Sequence, residues 1–341
     1  MPHDAVSLAM VGLGGWGKNV AQSFAQTQRC RMTHICDSSP KSLEQQRRNY
    51  PDSIPTSRYE DVLEEQSVEA VALATPAPAH YEMAKRSLLA GKHVYVEKPL
   101  TLRTDHAAEL VELAERRELK LMVGHLLEYH PAVALMKEQV DSGALGDIYY
   151  MYCQRLNLGV VRQHENSFWS LAPHDISIIL YLFEEEPVRI VVSGQDILQT
   201  GIEDVVFASL QFPSGRIANI HVSWLDPHKM RKMVLVGSEK MLVFDDMEAA
   251  EKVRIYDKRA CVQNDAVGAI ASIGVRHGDI HIPSISNEQP LLIETQHFID
   301  AVLDDTQPRS DGRDGLRVVK ILEEVDRQLA QGRPKVLRRA A

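Results

Sequence analysis

The sequence predicts an α/β protein of two domains, with a doubly wound parallel sheet first and a large, mostly antiparallel sheet second. Up to about residue 125, short apolar runs alternate with helical patterns, which is typical of βαβ units. Beyond that point, strand-like runs follow one another with few helical patterns between them. The length of 341 residues fits two domains. We therefore predict domains over 1–126 and 127–341.

The N-terminal elements follow from hydrophobic periodicity. The predicted strands are the most apolar runs, at 6–11, 31–36, 68–74, 93–96 and 119–124. The helical patterns lie at 18–26, 79–90 and 104–117, and Gly91 is well placed to end the second of them. Because open α/β sheets bind ligands beyond the carboxyl ends of their strands, the turns after these strands are candidate sites.

The C-terminal elements are mainly strands. Helical patterns lie at 131–141, 174–182, 291–303 and 315–331. Predicted strands lie at 148–156, 188–198, 205–212, 217–224, 233–236, 241–244 and 253–256. Residues 259–290 carry little pattern and are predicted to form a loop. We expect the last helices, within 291–331, to pack back near the domain junction.

Composition excludes several classes of protein. Lys and Arg number 38 against 47 Asp and Glu, a net charge of −9, which argues against a nucleic-acid partner or an anionic membrane surface. No apolar run approaches the ~18 residues of a membrane span. The four cysteines form no CxxC pair and have no His at zinc-like spacing. We therefore expect a cytoplasmic protein with free thiols and no metal site.

The first predicted strand runs into a glycine-rich turn that fits G-x-G-x-x-G, with Gly12, Gly14, Gly15, Trp16 and Gly17. The preceding strand and the following helix are the context that a dinucleotide-binding turn requires. The first glycine permits the tight turn, the second lets the backbone approach a pyrophosphate, and the last allows close packing of helix and strand. The turn therefore predicts a dinucleotide site.

Asp37 lies 20 positions after Gly17, at the end of the second predicted strand. A carboxylate at this place accepts hydrogen bonds from the ribose hydroxyls of NAD and repels the 2′-phosphate of NADP. The alternative is a helix-capping Asp before Pro40, which is compatible with that role. The sequence predicts NAD as the cofactor, with NADP less favoured.

Three further segments carry a resemblance to a known family: Thr-Pro-Ala-Pro-Ala-His at 75–80, Gly-Lys-His-Val-Tyr-Val-Glu-Lys-Pro at 91–99 and Ser-Leu-Ala-Pro-His-Asp-Ile-Ser at 170–177. With the glycine turn, they resemble the Gfo/Idh/MocA family of glucose-fructose oxidoreductases and inositol dehydrogenases. The resemblance covers nearly the whole chain, and Glu97-Lys98-Pro99 is its most specific motif. Within the family, the chain resembles the branch of nucleotide-sugar metabolism.

The resemblance implies a Rossmann domain followed by a substrate-binding and oligomerisation domain. It also implies cofactor contacts from Thr75, Pro76, His80, Glu97 and Lys98. In relatives the lysine points at the reacting hydroxyl and the nicotinamide, so Lys98 is a candidate catalytic residue. An ammonium there stabilises a developing alkoxide. The alternative is a surface lysine after a strand.

His174 is the second candidate catalytic residue. An imidazole accepts a hydroxyl proton near neutral pH, as a general base does. Family members commonly carry an Asp four residues earlier, where this chain has Ser170, and the departure weakens the proton relay that the resemblance implies. The alternative is a histidine that caps or packs the helix start.

Five residues are candidate substrate ligands: His125, Arg155, Asn157, Trp169 and Asp175. Arg155 and Asn157 share one strand face, where they bind sugar hydroxyls or phosphate or else belong to the sheet surface. His125 follows the predicted strand at 119–124, close to the expected nicotinamide. Trp169 stacks on a sugar or fills the core. Asp175 does not face its neighbour His174 on a helix, so we assign it a supporting role.

The sequence thus predicts an NAD-dependent dehydrogenase that oxidises a secondary hydroxyl of a sugar. A nucleotide-linked hexose or aminosugar, oxidised at a position such as C3, is the preferred substrate. The alternatives are a ketosugar reductase, since the same residues serve both directions, and a non-catalytic dinucleotide sensor, which Ser170 favours. One face of the second sheet is expected to be apolar and to need a partner. The resemblance implies an isologous homodimer or a homotetramer through this sheet.

Overall fold

The computed structural model describes residues 5–263 and 272–332. The chain divides into two compact units, Met1–His130 with Glu288–Glu323 and Pro131–Asn287 with Glu324–Ala341. The domain boundary after residue 126 stays a prediction. No described helix is both long and apolar enough to span a membrane.

Unit 1 contains a parallel sheet in the order β3-β2-β1-β4-β5-β6, which confirms the predicted doubly wound architecture. Its strands are β1 (Val6–Val11), β2 (Cys30–Cys36), β3 (Ile54–Thr56), β4 (Ala70–Leu73), β5 (His93–Glu97) and β6 (Leu121–Gly124). Every residue of β1, β4 and β6 is buried. These strands therefore read as continuous apolar runs, as parallel strands covered on both faces do.

The connections of this sheet are the helices α1 (Gly17–Gln26), α2 (Pro40–Asn49), α3 (Tyr59–Glu64), α4 (His80–Leu89) and α5 (Thr104–Arg116). The sequence pattern predicted α1, α4 and α5 but neither α2 nor α3. In α2 only Gln46 is buried. The helix therefore shows no apolar stripe, which is the signal that the periodicity argument needs.

Unit 2 contains a sheet in the order β14-β13-β12-β11-β7-β10-β9-β8. Its strands are β7 (Ile148–Leu156), β8 (Arg189–Gln195), β9 (Val205–Gln211), β10 (Ile217–Ser223), β11 (Met230–Gly237), β12 (Met241–Asp245), β13 (Val253–Gln263) and β14 (Ser272–His281). All neighbours are antiparallel except β7 and β10. The prediction of a large, mostly antiparallel sheet is confirmed.

The loop predicted over 259–290 is wrong for 259–263 and 272–281, where β13 and β14 form an antiparallel ribbon. Residues 264–271 of that prediction lie outside the described part of the chain. From Val275 to His281 the side chains of β14 are exposed on both faces. A strand without a buried face has no alternation of apolar and polar residues to reveal it.

The remaining helices are α6 (Pro131–Asp141), α7 (Ser167–Leu171), α8 (Pro173–Phe183), α9 (Pro290–Leu303) and α10 (Gly312–Gly332). In unit 1, Phe298 of α9 meets Phe24 of α1 and Tyr95 of β5 edge-on, with ring centroids 6.1 and 5.9 Å away. All three rings are fully buried. Burying one such aromatic ring contributes about 2–3 kcal/mol, so this cluster fixes α9 against the sheet.

Candidate active site

The glycine turn lies at the carboxyl end of β1. Gly12 has φ +89°, and a Cβ there would lie 2.6 Å from the Ala74 carbonyl oxygen. A Cβ on Gly17 would lie 2.0 Å from the carbonyl oxygen of Gly12. At Gly14 and Gly15, by contrast, an added Cβ would meet no described atom within 4 Å. The turn is therefore closed on the protein side and open on the other, as a backbone that cradles a pyrophosphate at a helix start must be.

Asp37 is held against this turn. Its Oδ2 accepts a hydrogen bond from the Leu13 amide at 2.6 Å, and its Oδ1 accepts one from the Ser39 amide at 2.8 Å. A carboxylate accepts about four hydrogen bonds, so acceptor positions remain for two hydroxyls of a ribose. The geometry combines the capping role and the predicted ribose role in one side chain.

The segment after β4 contains a second feature that suits a bound cofactor. Thr75 Oγ1 is buried and has no hydrogen-bond partner within the described part of the chain. The backbone of Thr75 lies beside Gly12, since a Cβ on that glycine would come 3.0 Å from the Thr75 amide. A buried hydroxyl costs free energy until it finds a partner, so this atom suits a ligand that enters beside the turn.

His80 connects the segments that follow β4 and β5. Its Nε2 lies 2.8 Å from the Thr75 carbonyl oxygen and its Nδ1 lies 2.7 Å from the Pro99 carbonyl oxygen. Burial lowers the pKa of His80, so the neutral ring donates to only one of the two oxygens. His80 is 1% exposed, and this position suits it to hold the two segments rather than to meet a ligand directly. Pro76 is exposed in the same segment.

Glu97 anchors the end of β5 next to Lys98. Its Oε1 accepts hydrogen bonds from Trp16 Nε1 at 2.7 Å and from the Tyr95 hydroxyl at 3.2 Å. Burial raises the pKa of Glu97, while the Trp16 hydrogen bond and the Lys98 charge oppose the rise. Gly124 leaves the space for this arrangement, because a Cβ there would lie 2.8 Å from the Tyr95 hydroxyl oxygen. The glycine turn and the Glu-Lys-Pro motif are thereby joined by one hydrogen bond.

Glu294 extends this chain of hydrogen bonds into the core. Its Oε2 lies 3.0 Å from the Tyr95 hydroxyl, and its side chain is fully buried. Burial and the negative charge of Glu97 raise the pKa of Glu294 far above its usual range. The Tyr95 hydroxyl has one proton to donate, and both Glu294 Oε2 and Glu97 Oε1 lie within hydrogen-bond distance of it.

His125 lies at the end of β6 with its side chain wholly buried. Its Nδ1 donates to Asp314 Oδ2 at 2.8 Å and lies 3.4 Å from Glu128 Oε1. Although burial opposes it, the hydrogen bond with Asp314 and the nearby carboxyl group of Glu128 raise the pKa of His125 to about 10. Burial and the charge of Asp314 raise the pKa of Glu128 to about 8. The substrate contact predicted for His125 stays a prediction.

This cluster makes the stability of unit 1 depend on pH. In the folded chain Glu128 keeps its proton up to about pH 8, whereas the unfolded group loses it near 4.5. In the same way, folded His125 keeps its proton up to about pH 10, whereas the unfolded group loses it near pH 6.5. The folded state thus binds more protons in both windows, and stability falls as the pH rises through them. We expect Glu128→Gln to reduce the fall in Tm between about pH 6 and about pH 9.

Thermal unfolding followed by circular dichroism measures this difference. Glu118→Gln, which neutralises an exposed carboxylate of the same unit, is the control and should follow the unmodified protein. A Glu128→Gln variant whose Tm falls as steeply as that of the unmodified protein would show that Glu128 holds no extra proton in the folded state.

In unit 2, Arg155 and Asp175 are brought together. Arg155 Nη2 donates to Asp175 Oδ1 at 2.6 Å, and Arg155 Nε lies 3.2 Å from both carboxylate oxygens. Both residues are buried. Because Asp175 lies in the first turn of α8, the ion pair fixes β7 to the turn that carries His174. The hydroxyl of Ser177 donates to the His174 carbonyl oxygen at 3.1 Å, which further orders this turn.

Trp169 is packed inside unit 2, and Asn157 is half-buried beside the exposed Gly159. The Trp169 ring is buried, and its Nε1 donates to Asp326 Oδ2 at 2.5 Å. Asn166 caps α7 and also donates to Asp326, at 2.7 Å. The Asn157 amide lies over Gly159, where a Cβ would approach within 1.9 Å of Nδ2. These contacts favour packing for Trp169, and the substrate contacts of both residues stay predictions.

One basic side chain near this ion pair was missed by the sequence analysis. Arg231 lies on β11 directly opposite Arg155 on β7. The predicted strand began at residue 233, three positions too late, because Arg231 and Lys232 interrupt the apolar run. The signal that could have found it is the basic pair at 231–232 just before a buried strand.

The fold and the glycine turn define an oxidoreductase that binds NAD(P). A family model described as "Oxidoreductase family, NAD-binding Rossmann fold" matches residues 6–125, and one described as "GFO/IDH/MocA C-terminal domain" matches residues 133–243. The chain belongs to the Gfo/Idh/MocA oxidoreductase family, as the sequence motifs predicted.

Named relatives include sugar and polyol dehydrogenases. The UDP-N-acetylglucosamine 3-dehydrogenase of Acidithiobacillus ferrooxidans is 27% identical over 254 residues, which cover 74% of this chain and 76% of that protein. Inositol 2-dehydrogenase of Rhizobium meliloti is 24% identical over 226 residues, 63% of this chain and 68% of that one. These relatives agree with an enzyme of the CH–OH dehydrogenase type.

Solved structures share the fold over almost the full length. The Acidithiobacillus ferrooxidans UDP-N-acetylglucosamine 3-dehydrogenase superposes with a TM-score of 0.82 at 22% identity, covering 96% of this chain and 98% of that one. The WlbA dehydrogenase of Bordetella pertussis, in complex with NADH and UDP-GlcNAcA, gives 0.80 at 19% identity and 98% of both chains.

Proposed function

We propose that this chain is an NAD-dependent dehydrogenase that oxidises a secondary hydroxyl of a nucleotide-linked sugar. The observation that carries the proposal is the carboxyl edge of the sheet in unit 1. There the open glycine turn follows β1 and Asp37 follows β2. Glu97 ends β5, and Lys98 comes directly after it. The 27% identity with the UDP-N-acetylglucosamine 3-dehydrogenase, in an alignment that covers 74% of this chain, supports the class of sugar.

The proposed cofactor contacts follow from the geometry of unit 1. The amides at Gly14, Gly15 and Trp16 bind the pyrophosphate, and the Asp37 carboxylate accepts from the ribose. Thr75 Oγ1 meets the cofactor with the hydroxyl that lacks a protein partner. NAD is preferred because Asp37 places a negative charge where NADP carries its 2′-phosphate.

The proposed chemistry assigns one role to each catalytic side chain. The ammonium group of Lys98 stabilises the negative charge that develops on the substrate oxygen. The imidazole of His174 accepts the hydroxyl proton. The bound nicotinamide supplies the hydride acceptor for the carbinol carbon. A ketosugar is the product, and the same side chains serve the reverse reduction when the ketosugar is in excess.

We further propose that the chain forms a homodimer or homotetramer through the sheet of unit 2. Its uncovered face presents large apolar side chains, among them Phe207, Val191 and Tyr150, which are 48%, 46% and 40% exposed. Phe207 stacks on His221 with ring centroids 4.1 Å apart. An exposed patch of this kind favours association, and sedimentation of the purified protein measures it.

The proposed function predicts formation of NADH when the protein receives NAD and a UDP-linked hexose or aminosugar. UDP-N-acetylglucosamine, UDP-glucose and myo-inositol, assayed by absorbance of the reduced cofactor, separate a nucleotide-sugar dehydrogenase from a polyol dehydrogenase. The ketosugar products with NADH test the reverse direction. A protein that binds NADH tightly and turns over none of these pairs is instead a dinucleotide sensor.

The cofactor arm of this assay compares NAD with NADP at a fixed concentration of sugar. We expect a higher kcat/KM with NAD, and Asp37→Ser should narrow the difference because it removes the repelling carboxylate. A clear preference of the unmodified protein for NADP would contradict the assignment of Asp37.

A further inference from the structure

The register of β7 and β11 places two arginines side by side in unit 2. Arg155 and Arg231 are direct partners in this antiparallel pair. The next partners on the same face, Cys153 and Met233, are both buried. Since side chains alternate along a strand, both guanidinium groups leave the sheet on its buried face. Two like charges in this position repel each other and need negative charge nearby.

Of the two arginines, Arg155 alone has a side-chain partner in the described part of the chain. Arg155 forms hydrogen bonds with both oxygens of Asp175. No residue among 5–263 and 272–332 forms an ion pair or a side-chain hydrogen bond with Arg231, which is partly buried. Burial and the charge of Arg155 lower the pKa of Arg231, although Asp175 and Asp246 act against this from beyond contact distance. Arg231 is thus a partly buried cation next to a second arginine.

The carboxylates around Arg231 are already engaged. Asp175 is paired with Arg155, and Asp246 accepts a hydrogen bond from Lys252 at 2.8 Å. Three cations therefore face two carboxylates in this part of unit 2. A partly buried charge without a counter-charge costs free energy, and that cost falls when an anion binds. The arrangement therefore favours an anionic ligand.

We propose that Arg231 binds an anionic group of the sugar substrate, a phosphate or a carboxylate, through two parallel hydrogen bonds. The proposal rests on the proposed function and names the residue that binds the anionic group of its substrate. A guanidinium fork matches the paired oxygens of either group. Arg155, the cross-strand neighbour, holds the first turn of α8 through Asp175. The anion would therefore bind at the end of the unit 2 sheet that lies next to the first turn of α8, which contains His174.

The test is a calorimetric titration of the NADH-loaded, full-length protein. The probes are UDP-N-acetylglucosamine, which carries a diphosphate, glucuronate, which carries a carboxylate, and neutral N-acetylglucosamine. We expect at least one anionic probe to bind more tightly than the neutral sugar. Arg231→Met should weaken its binding about 10- to 100-fold, the range of a lost charged hydrogen bond. Which anionic probe loses affinity identifies the source of the anion.

Two further variants keep the result interpretable. Lys232→Met removes the next cation of β11, whose side chain lies on the opposite face, and should leave all affinities unchanged. Arg231→Lys keeps the charge without the fork, and should lie between the unmodified protein and Arg231→Met. Should Arg231→Met fail to fold, Arg231→Lys alone still reports a loss of bidentate binding.

Three results would overturn the proposal: equal affinity of the unmodified protein for neutral and anionic probes, unchanged affinity in Arg231→Met, or the same loss in Lys232→Met. The proposed function is judged separately by turnover. If the unmodified protein oxidises UDP-sugars and Arg231→Met has the same KM, the proposed function stands and the proposed anion site is wrong. If the protein oxidises no sugar but binds an anionic probe more weakly after Arg231→Met, the anion site stands and the proposed function is wrong.

Discussion

Replacing His174 or Lys98 by alanine is expected to lower the turnover of the sugar at least about 100-fold in each case. This is the low end of the effect of removing a general base or a group that stabilises an oxyanion. His174→Ala removes the acceptor of the hydroxyl proton, and Lys98→Ala removes the ammonium that stabilises the oxygen. Steady-state turnover at saturating NAD and sugar measures both losses.

The controls separate catalysis from folding and cofactor binding. The affinity for NADH should change little, because neither side chain is assigned to the pyrophosphate or the adenosine ribose. His277→Ala and Lys240→Ala, which remove one residue of each type from β14 and from the turn after β11, should retain activity. Ser170→Asp should be tolerated, since family members commonly carry Asp there. Near-normal turnover in His174→Ala would mean that this histidine only packs the start of α8.

The architecture of unit 1 could be predicted because its signals are local. The strands β1, β4 and β6 are buried throughout, so each is a short apolar run bounded by turn residues. The helix α2 escaped prediction because its face toward the sheet buries little more than Gln46. The same reason, a lack of buried apolar side chains, concealed β14 in unit 2, which is exposed from Val275 to His281.

Some residues of the candidate site could also be predicted from local sequence signals, and others could not. The glycine turn and Glu97-Lys98-Pro99 are short motifs, and a sequence shows them directly. The partners of buried charges are not local: Asp175 is 20 residues from Arg155, and Asp314 is 189 residues from His125. Arg155 and His125 therefore read as candidate ligands, although their side chains are bonded to carboxylates of their own units. Only the register of β7 and β11 shows Arg231 beside Arg155.

The buried ion pair gives the second large effect. Asp175→Ala should destabilise unit 2 by about 3–5 kcal/mol, because it leaves the Arg155 guanidinium buried without a counter-charge. The exposed side-chain fractions of Arg155 and Asp175 are 7% and 2%, so water replaces the lost carboxylate poorly. The free energy of unfolding from urea denaturation, followed by a probe in unit 2, measures the loss.

A double variant decides whether the loss belongs to the ion pair or to the carboxylate alone. Arg155→Met combined with Asp175→Ala removes the stranded charge as well, so it should recover at least half of the stability lost in Asp175→Ala. If Asp175 acted mainly on substrate, Asp175→Ala would fold normally and raise KM, and the double variant would recover nothing. If the ion pair positions α8, Asp175→Ala at low temperature should lower kcat through the displaced His174, with a smaller change in the affinity for sugar. A loss of less than about 1 kcal/mol in Asp175→Ala would show that solvent reaches Arg155 and that the pair contributes no more than a surface salt bridge does.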